Sequence, residues 1–172
     1  VADHHISPGK KQWTWGCGDF GKAWDRNLTD EDGPYVELMT GVYTDNQPDF
    51  TWLKPYEEKT FKQYFMPYKA AGVVKNATID AAVNMTCTQE GVEIIVYATG
   101  THLADIELTY DGKVLMKEKK VISPTDIYKK TCVIENIKEE TKLTIRVTED
   151  GRELVSYTPE KQEIPELPKP AE

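Results

Sequence analysis

The sequence is poor in cysteine, in positive charge and in long apolar runs, and each shortage closes off a class of function. Only Cys17, Cys87 and Cys132 are present, with no CxxC pair, which argues against a structural zinc site. Lysine and arginine total 21 against 29 aspartates and glutamates, a formal net charge of -8. That field repels phosphate, so nucleic acid and anionic membrane surfaces are not expected as partners. No apolar run approaches the roughly 20 residues of a membrane span. No signal-peptide pattern is present and the first residue is Val1, so a processed or trimmed piece of a longer protein is expected. Helical periodicity is lacking, and no cofactor is expected. Tryptophan and phenylalanine are absent after about residue 75: Trp13, Trp15, Trp24 and Trp52 all precede it, as does every Phe.

What is present reads as strands. The chain becomes Val/Ile/Thr-rich after residues 71–76, with Lys and Glu on alternate positions, which sets a domain boundary there. Residues 77–88 alternate, with Ile79, Ala81, Val83, Met85 and Cys87 on one face. Six further strands follow over 92–99, 104–110, 114–119, 127–135, 142–148 and 153–157, with hairpin turns at Asp111-Gly112 and Asp150-Gly151. Seven short strands joined by turn signals predict an immunoglobulin-like or fibronectin-like sandwich over 76–158. It lacks the Cys…Trp…Cys pattern of true immunoglobulin domains. Cys87 and Cys132, on separate strands, offer a disulfide. Residues 159–172, with Pro159, Pro165, Pro168 and Pro170 among charged residues, read as a Pro-rich linker. Three N-x-T sequons, at Asn27, Asn76 and Asn84, are not by themselves evidence of glycosylation.

In the first module, over 1–72, strands are expected at 11–16, 34–43 and 60–67, with a short segment at Phe50, Trp52 and Leu53. So few strands give a thin core, as for part of a larger sheet. The informative strand is 34–43. Val36, Leu38 and Val42 are expected to face a core, and Tyr35, Glu37, Met39 and Tyr43 an open trough. A carboxylate between two tyrosines suits sugar, since rings stack on pyranose faces and the carboxylate accepts bonds from hydroxyls. The same carboxylate is a candidate general base. The alternative is a solvent-facing Glu between two surface tyrosines. Asn46 and Gln47, in the turn beyond, have amides that both donate and accept; the plain alternative is an ordinary loop. Trp24, together with Trp13 and Trp15, is either core or a ligand platform. Residues 25–33 carry Asp25, Asn27, Asp30, Glu31 and Asp32, oxygen donors of the kind calcium favours, but the spacing fails the EF-hand pattern and reads as a solvated acidic turn. Asp3, His4 and His5 offer a metal site or a general acid, against a frayed terminus.

At these residues the sequence resembles a known family. The stretches "WDRNLTDEDGPYVELMTGVYTDNQPDF" and "PYEEKTFKQYFMPY" are similar to the end of the domain-of-unknown-function family 5107, found in large bacterial proteins, often ahead of tetratricopeptide repeats. The resemblance implies part of a galactose-mutarotase-like β-supersandwich, in which a concave sheet holds sugar and a strand-borne Glu is the usual base. Glu37 stands at the matching position in "GPYVELMTG", and His4 or His5 corresponds to an upstream groove histidine. The family domain is longer than this segment, and no tetratricopeptide repeat is present. The expected class is therefore all-β, a partial supersandwich followed by a sandwich. The expected function is a carbohydrate-binding or carbohydrate-processing module of a larger bacterial protein, periplasmic or on the cell surface. Its partners would be carbohydrate and the missing part of the parent β domain or tetratricopeptide repeats. In the intact parent the activity would be glycoside hydrolysis or sugar epimerisation. Hydrolysis requires a second carboxylate, for which Asp25, Asp45 and Asp49 are candidates. The rival reading is a structural or interaction module, and a metal-dependent hydrolase resting on His4 and His5 is the remote third.

Overall fold

In the computed structural model, residues 6–7, 9–42, 51–134 and 137–161 are described, Lys10 by its backbone only. Two compact units divide between Phe65 and Met66.

The second unit contains the sandwich. Its strands are β3 (Asn76–Ala77), β4 (Ala81–Thr88), β5 (Gly91–Ala98), β6 (His102–Tyr110), β7 (Lys113–Ile122), β8 (Tyr128–Cys132), β9 (Leu143–Glu149) and β10 (Arg152–Tyr157). They form two four-stranded antiparallel sheets, in the orders β3-β4-β5-β8 and β10-β9-β6-β7. All seven expected strands are there, the first divided near Ile79 into the two-residue β3 and the long β4. The turns are built as their residues dictate. Asp111 and Gly112 have φ of 51° and 75°, and Asp150 and Gly151 have 48° and 83°. Successive positive φ values give the turn whose twist matches the flanking strands. Between the sheets lies an apolar core that includes Val83, Met85, Ile94, Val96, Ile106, Leu108, Ile145, Val147 and Leu154.

The open side of this sandwich is closed by polar groups. The edge strands β7 and β8 belong to opposite sheets, and Tyr128 on β8 donates to Glu118 on β7 at 3.0 Å. The Lys130 ammonium donates to the other Glu118 oxygen. Those two bonds, Lys130's first, hold the Glu118 carboxyl below its ordinary range. Inward charges on an edge strand also discourage pairing with another chain.

The disulfide does not form; Cys87 and Cys132 are free thiols. Register explains why. Cys87 pairs with Val92, and Val92 pairs with Cys132 on its other side. The two cysteines lie two strand spacings apart, about 9.5 Å, beyond the roughly 7 Å that a disulfide spans.

The first unit has a two-stranded antiparallel sheet, β1 (Gly9–Thr14) with β2 (Val36–Gly41), and one helix between them, α1 (Asp19–Thr29). The helix is a departure from expectation, for residues 25–29 lie in it and not in an acidic turn. Its signal is in the sequence: Phe20, Trp24 and Leu28 recur every fourth residue, and Asp19 complements the helix dipole at the first turn. Residues 60–67 form no strand.

Candidate functional site

The centre of the site is β2. Its burial alternates as expected, but with the opposite sense. Val36 is 48% exposed and Leu38 74% exposed, so neither faces a core. Tyr35, Glu37 and Met39 occupy the half-buried side, and Val42 is also half-buried. The side facing Glu37 is the one that α1 and β1 furnish with neighbours, and this decides which set is covered.

Register places Trp13 of β1 directly opposite Glu37 of β2. Directly opposed residues share a face, so indole and carboxylate lie side by side. The Tyr35 hydroxyl donates to Glu37 Oε1 at 2.8 Å. That bond, then desolvation and the carboxylate's charge, raise the Tyr35 phenol above its ordinary range and keep it a donor. The Tyr35 backbone N–H in turn donates to Asp25 Oδ1 of α1 at 3.1 Å. Asp25 thereby anchors the entry of β2 to the helix, a role that sequence patterning gave no means of seeing.

The aromatics form one chain of contacts. Trp13 meets Trp15 edge to face, with centroids 4.7 Å apart. Trp15 stacks on Trp24, at 4.9 Å and 11° between planes. Phe20 packs edge-on against both Trp15 and Trp24. Gly21 makes this possible: a Cβ there would lie 2.4 Å from the Trp15 carbonyl oxygen, so only glycine lets α1 approach. The cluster is a surface feature, with Trp13 37% and Trp24 38% exposed. Trp15 Nε1 is buried with no hydrogen-bond partner among the described residues, a group that ordinarily finds one.

Of the expected site residues, Glu37, Tyr35, Trp24 and Asp25 are therefore joined through hydrogen bonds and ring contacts, with Trp13 and Trp15 as links. His4, His5, Tyr43, Asp45, Asn46, Gln47 and Asp49 lie outside the described residues. Among the described residues no group of three or more His, Cys, Asp or Glu side chains is arranged to hold a metal. No helix among them is long and apolar enough to cross a membrane.

Comparison with known families agrees with the resemblance read from the first module. Residues 1–73 match the domain of unknown function DUF5107. Residues 76–157 match the second domain of YphG-like proteins. The order along the chain is thus a DUF5107-like part followed by a segment similar to the YphG-like second domain. No solved structure matches it. The Trp13, Tyr35 and Glu37 constellation falls wholly within the DUF5107 part, and the sandwich described above coincides with the YphG-like domain.

Proposed function

We propose that the DUF5107 part binds carbohydrate, as a module of a larger bacterial protein acting outside the cytoplasm. One observation carries the reading: a carboxylate bonded to a phenol at 2.8 Å, on the same sheet face as a partly exposed indole. Sugar recognition needs an apolar platform for the ring face and a fixed acceptor for its hydroxyls. Trp13 supplies the first and Glu37 the second. Tyr35 holds the carboxylate in one orientation, so less freedom is lost on binding. Asp25, the second carboxylate within the described cluster, accepts the Tyr35 backbone bond and so holds the entry of β2 beside Glu37.

The test is titration of the chain with an oligosaccharide panel, read by tryptophan emission and calorimetry. A saturable change is expected, weakened about tenfold by Glu37→Gln and abolished by Trp13→Ala, a tenfold loss corresponding to about 1.4 kcal/mol. Silence across the panel at millimolar sugar, or a Glu37→Gln variant that binds like the parent, would sink it. A second reading, a structural or interaction module, is favoured by Val36 and Leu38, which leave an apolar strip on the other face of the same strand.

A further inference from the structure

At one end of the YphG-like domain the β4–β5 turn overhangs the segment leaving β8. Gly91 makes the overhang possible. Its φ is 134°, and a Cβ there would lie 2.0 Å from the Cys132 carbonyl oxygen. Only a residue without a side chain brings the turn so close. The result is an open cleft of ≈ 930 Å³.

The cleft has two kinds of surface. Cys87, Ile134 and Ile137 line it and pack against the hydrophobic core, so they form an apolar floor. Val133 adds an apolar wall and is 83% exposed. Glu90 and Glu140 also line the cleft, and both are exposed. Neither carboxylate has an ion-pair partner among the described residues. Lys142 pairs with Glu139 at 3.3 Å and Lys129 with Glu93 at 2.9 Å, so neither of these two cations is paired with a cleft carboxylate. Burial, then the charge of Glu140 and a hydrogen bond to it, push the Cys87 thiol up to about 11. The thiol stays protonated and adds to the apolar floor. A polar groove of ≈ 410 Å³ adjoins at Thr88, Gln89 and Glu90, giving the cleft an extended approach.

We propose that this cleft binds a lysine or arginine side chain presented by an extended peptide segment of a partner. The apolar floor takes the methylene stem, and Glu90 and Glu140 take the charged head. A long basic side chain is the residue that divides in this way, apolar along its length and cationic at its tip. An aliphatic ligand would leave the two carboxylates without a counter-charge, and an anion would be repelled by them and by the net charge of -8. The site lies in a different unit from Glu37 and does not depend on the carbohydrate reading.

The test uses the whole chain, labelled with nitrogen-15, and two peptide mimics of equal shape: Nα-acetyl-arginine methylamide and its neutral citrulline counterpart. The arginine compound is expected to shift the amides of Glu90, Gly91 and Ile137 saturably, with a Kd on the order of 1 mM. The Glu90→Gln/Glu140→Gln double variant, in which both side chains keep their shape, is expected to weaken binding about tenfold while its thermal unfolding stays that of the parent. Equal binding of the citrulline compound would overturn the proposal, because the site would not be reading charge. So would a double variant that binds arginine unchanged, or shifts that grow linearly without saturating.

Discussion

The two modules draw on the same strand-forming residues and arrive at opposite solutions. In the YphG-like domain alternate residues of strands such as β6 and β9 meet a facing sheet, and side chains such as Ile94, Ile106, Leu108 and Ile145 are fully buried. In the DUF5107 part the described residues between 6 and 65 that are buried are Ser7, Gly9 and Gly21, none with an apolar side chain. Trp13, Trp15 and Trp24 pack against one another at the surface. Alternation is therefore enough to make a strand but not to make an interior. An interior needs a second layer opposite the first, and a lone two-stranded sheet is marginal in water without one. What orders the DUF5107 part is directional: the Tyr35–Glu37 and Tyr35–Asp25 bonds, the ladder of β1 with β2, and close approach at Gly21.

The contrast breaks most visibly at Leu108, which has no exposed surface and lies in the second half of β6. Leu108→Ala is expected to cost about 3 kcal/mol through lost burial and the cavity left behind. All four tryptophans precede residue 75, so emission reports the DUF5107 part alone while circular dichroism is dominated by the sandwich. The denaturation midpoint by dichroism should fall and that by emission should stay. If both fall together, the modules unfold as one and the contrast fails.

Gly21→Ala probes the other side with a smaller effect, about 2 kcal/mol, the usual scale for forcing an extra methyl into a packed contact. Because the added Cβ would strike the Trp15 carbonyl, α1 must retreat and the Trp15–Trp24 stack must open. The expected readout is a red shift of tryptophan emission with no change in the dichroism midpoint. An unshifted spectrum would mean that the stack does not depend on the glycine.

Particular residues show what the sequence could and could not reveal. The sandwich was legible strand by strand because its turns announce themselves: Asp-Gly pairs need positive φ and find it at residues 111–112 and 150–151. The phase of β4 was legible for the same local reason, with Ala81, Val83 and Met85 all in the core. For β2 the pairing of Tyr35 with Glu37 followed from their two-residue spacing, but the covered side did not. Which face of a strand is covered depends on what lies against it, here Trp13 across the ladder and the helix carrying Trp24 and Asp25. The helix itself was readable from Phe20, Trp24 and Leu28. It was obscured by Gly18 and Gly21, which look like loop residues until the second proves to be a contact point. Residues 60–67 were misread because aromatic content favours a strand only where a neighbouring strand completes the ladder.

The smallest effect belongs to Leu38, and it separates the two readings of the first module. At 74% exposed, Leu38 gives up almost no buried area when shortened. Leu38→Thr puts a β-branched residue, a good strand former, into the ladder and should change stability by less than about 0.5 kcal/mol. Sugar binding at Glu37 should be untouched, because the two side chains leave β2 on opposite faces. A loss above about 1 kcal/mol would mean that Leu38 is covered in solution, since an exposed methyl group has nothing to lose and a buried one is worth roughly that much. Running the melt at two protein concentrations identifies the cover: a loss that grows with concentration comes from a second copy of the chain. The interaction reading would then rest on a measured surface, while the Glu37 face would keep its own separate test.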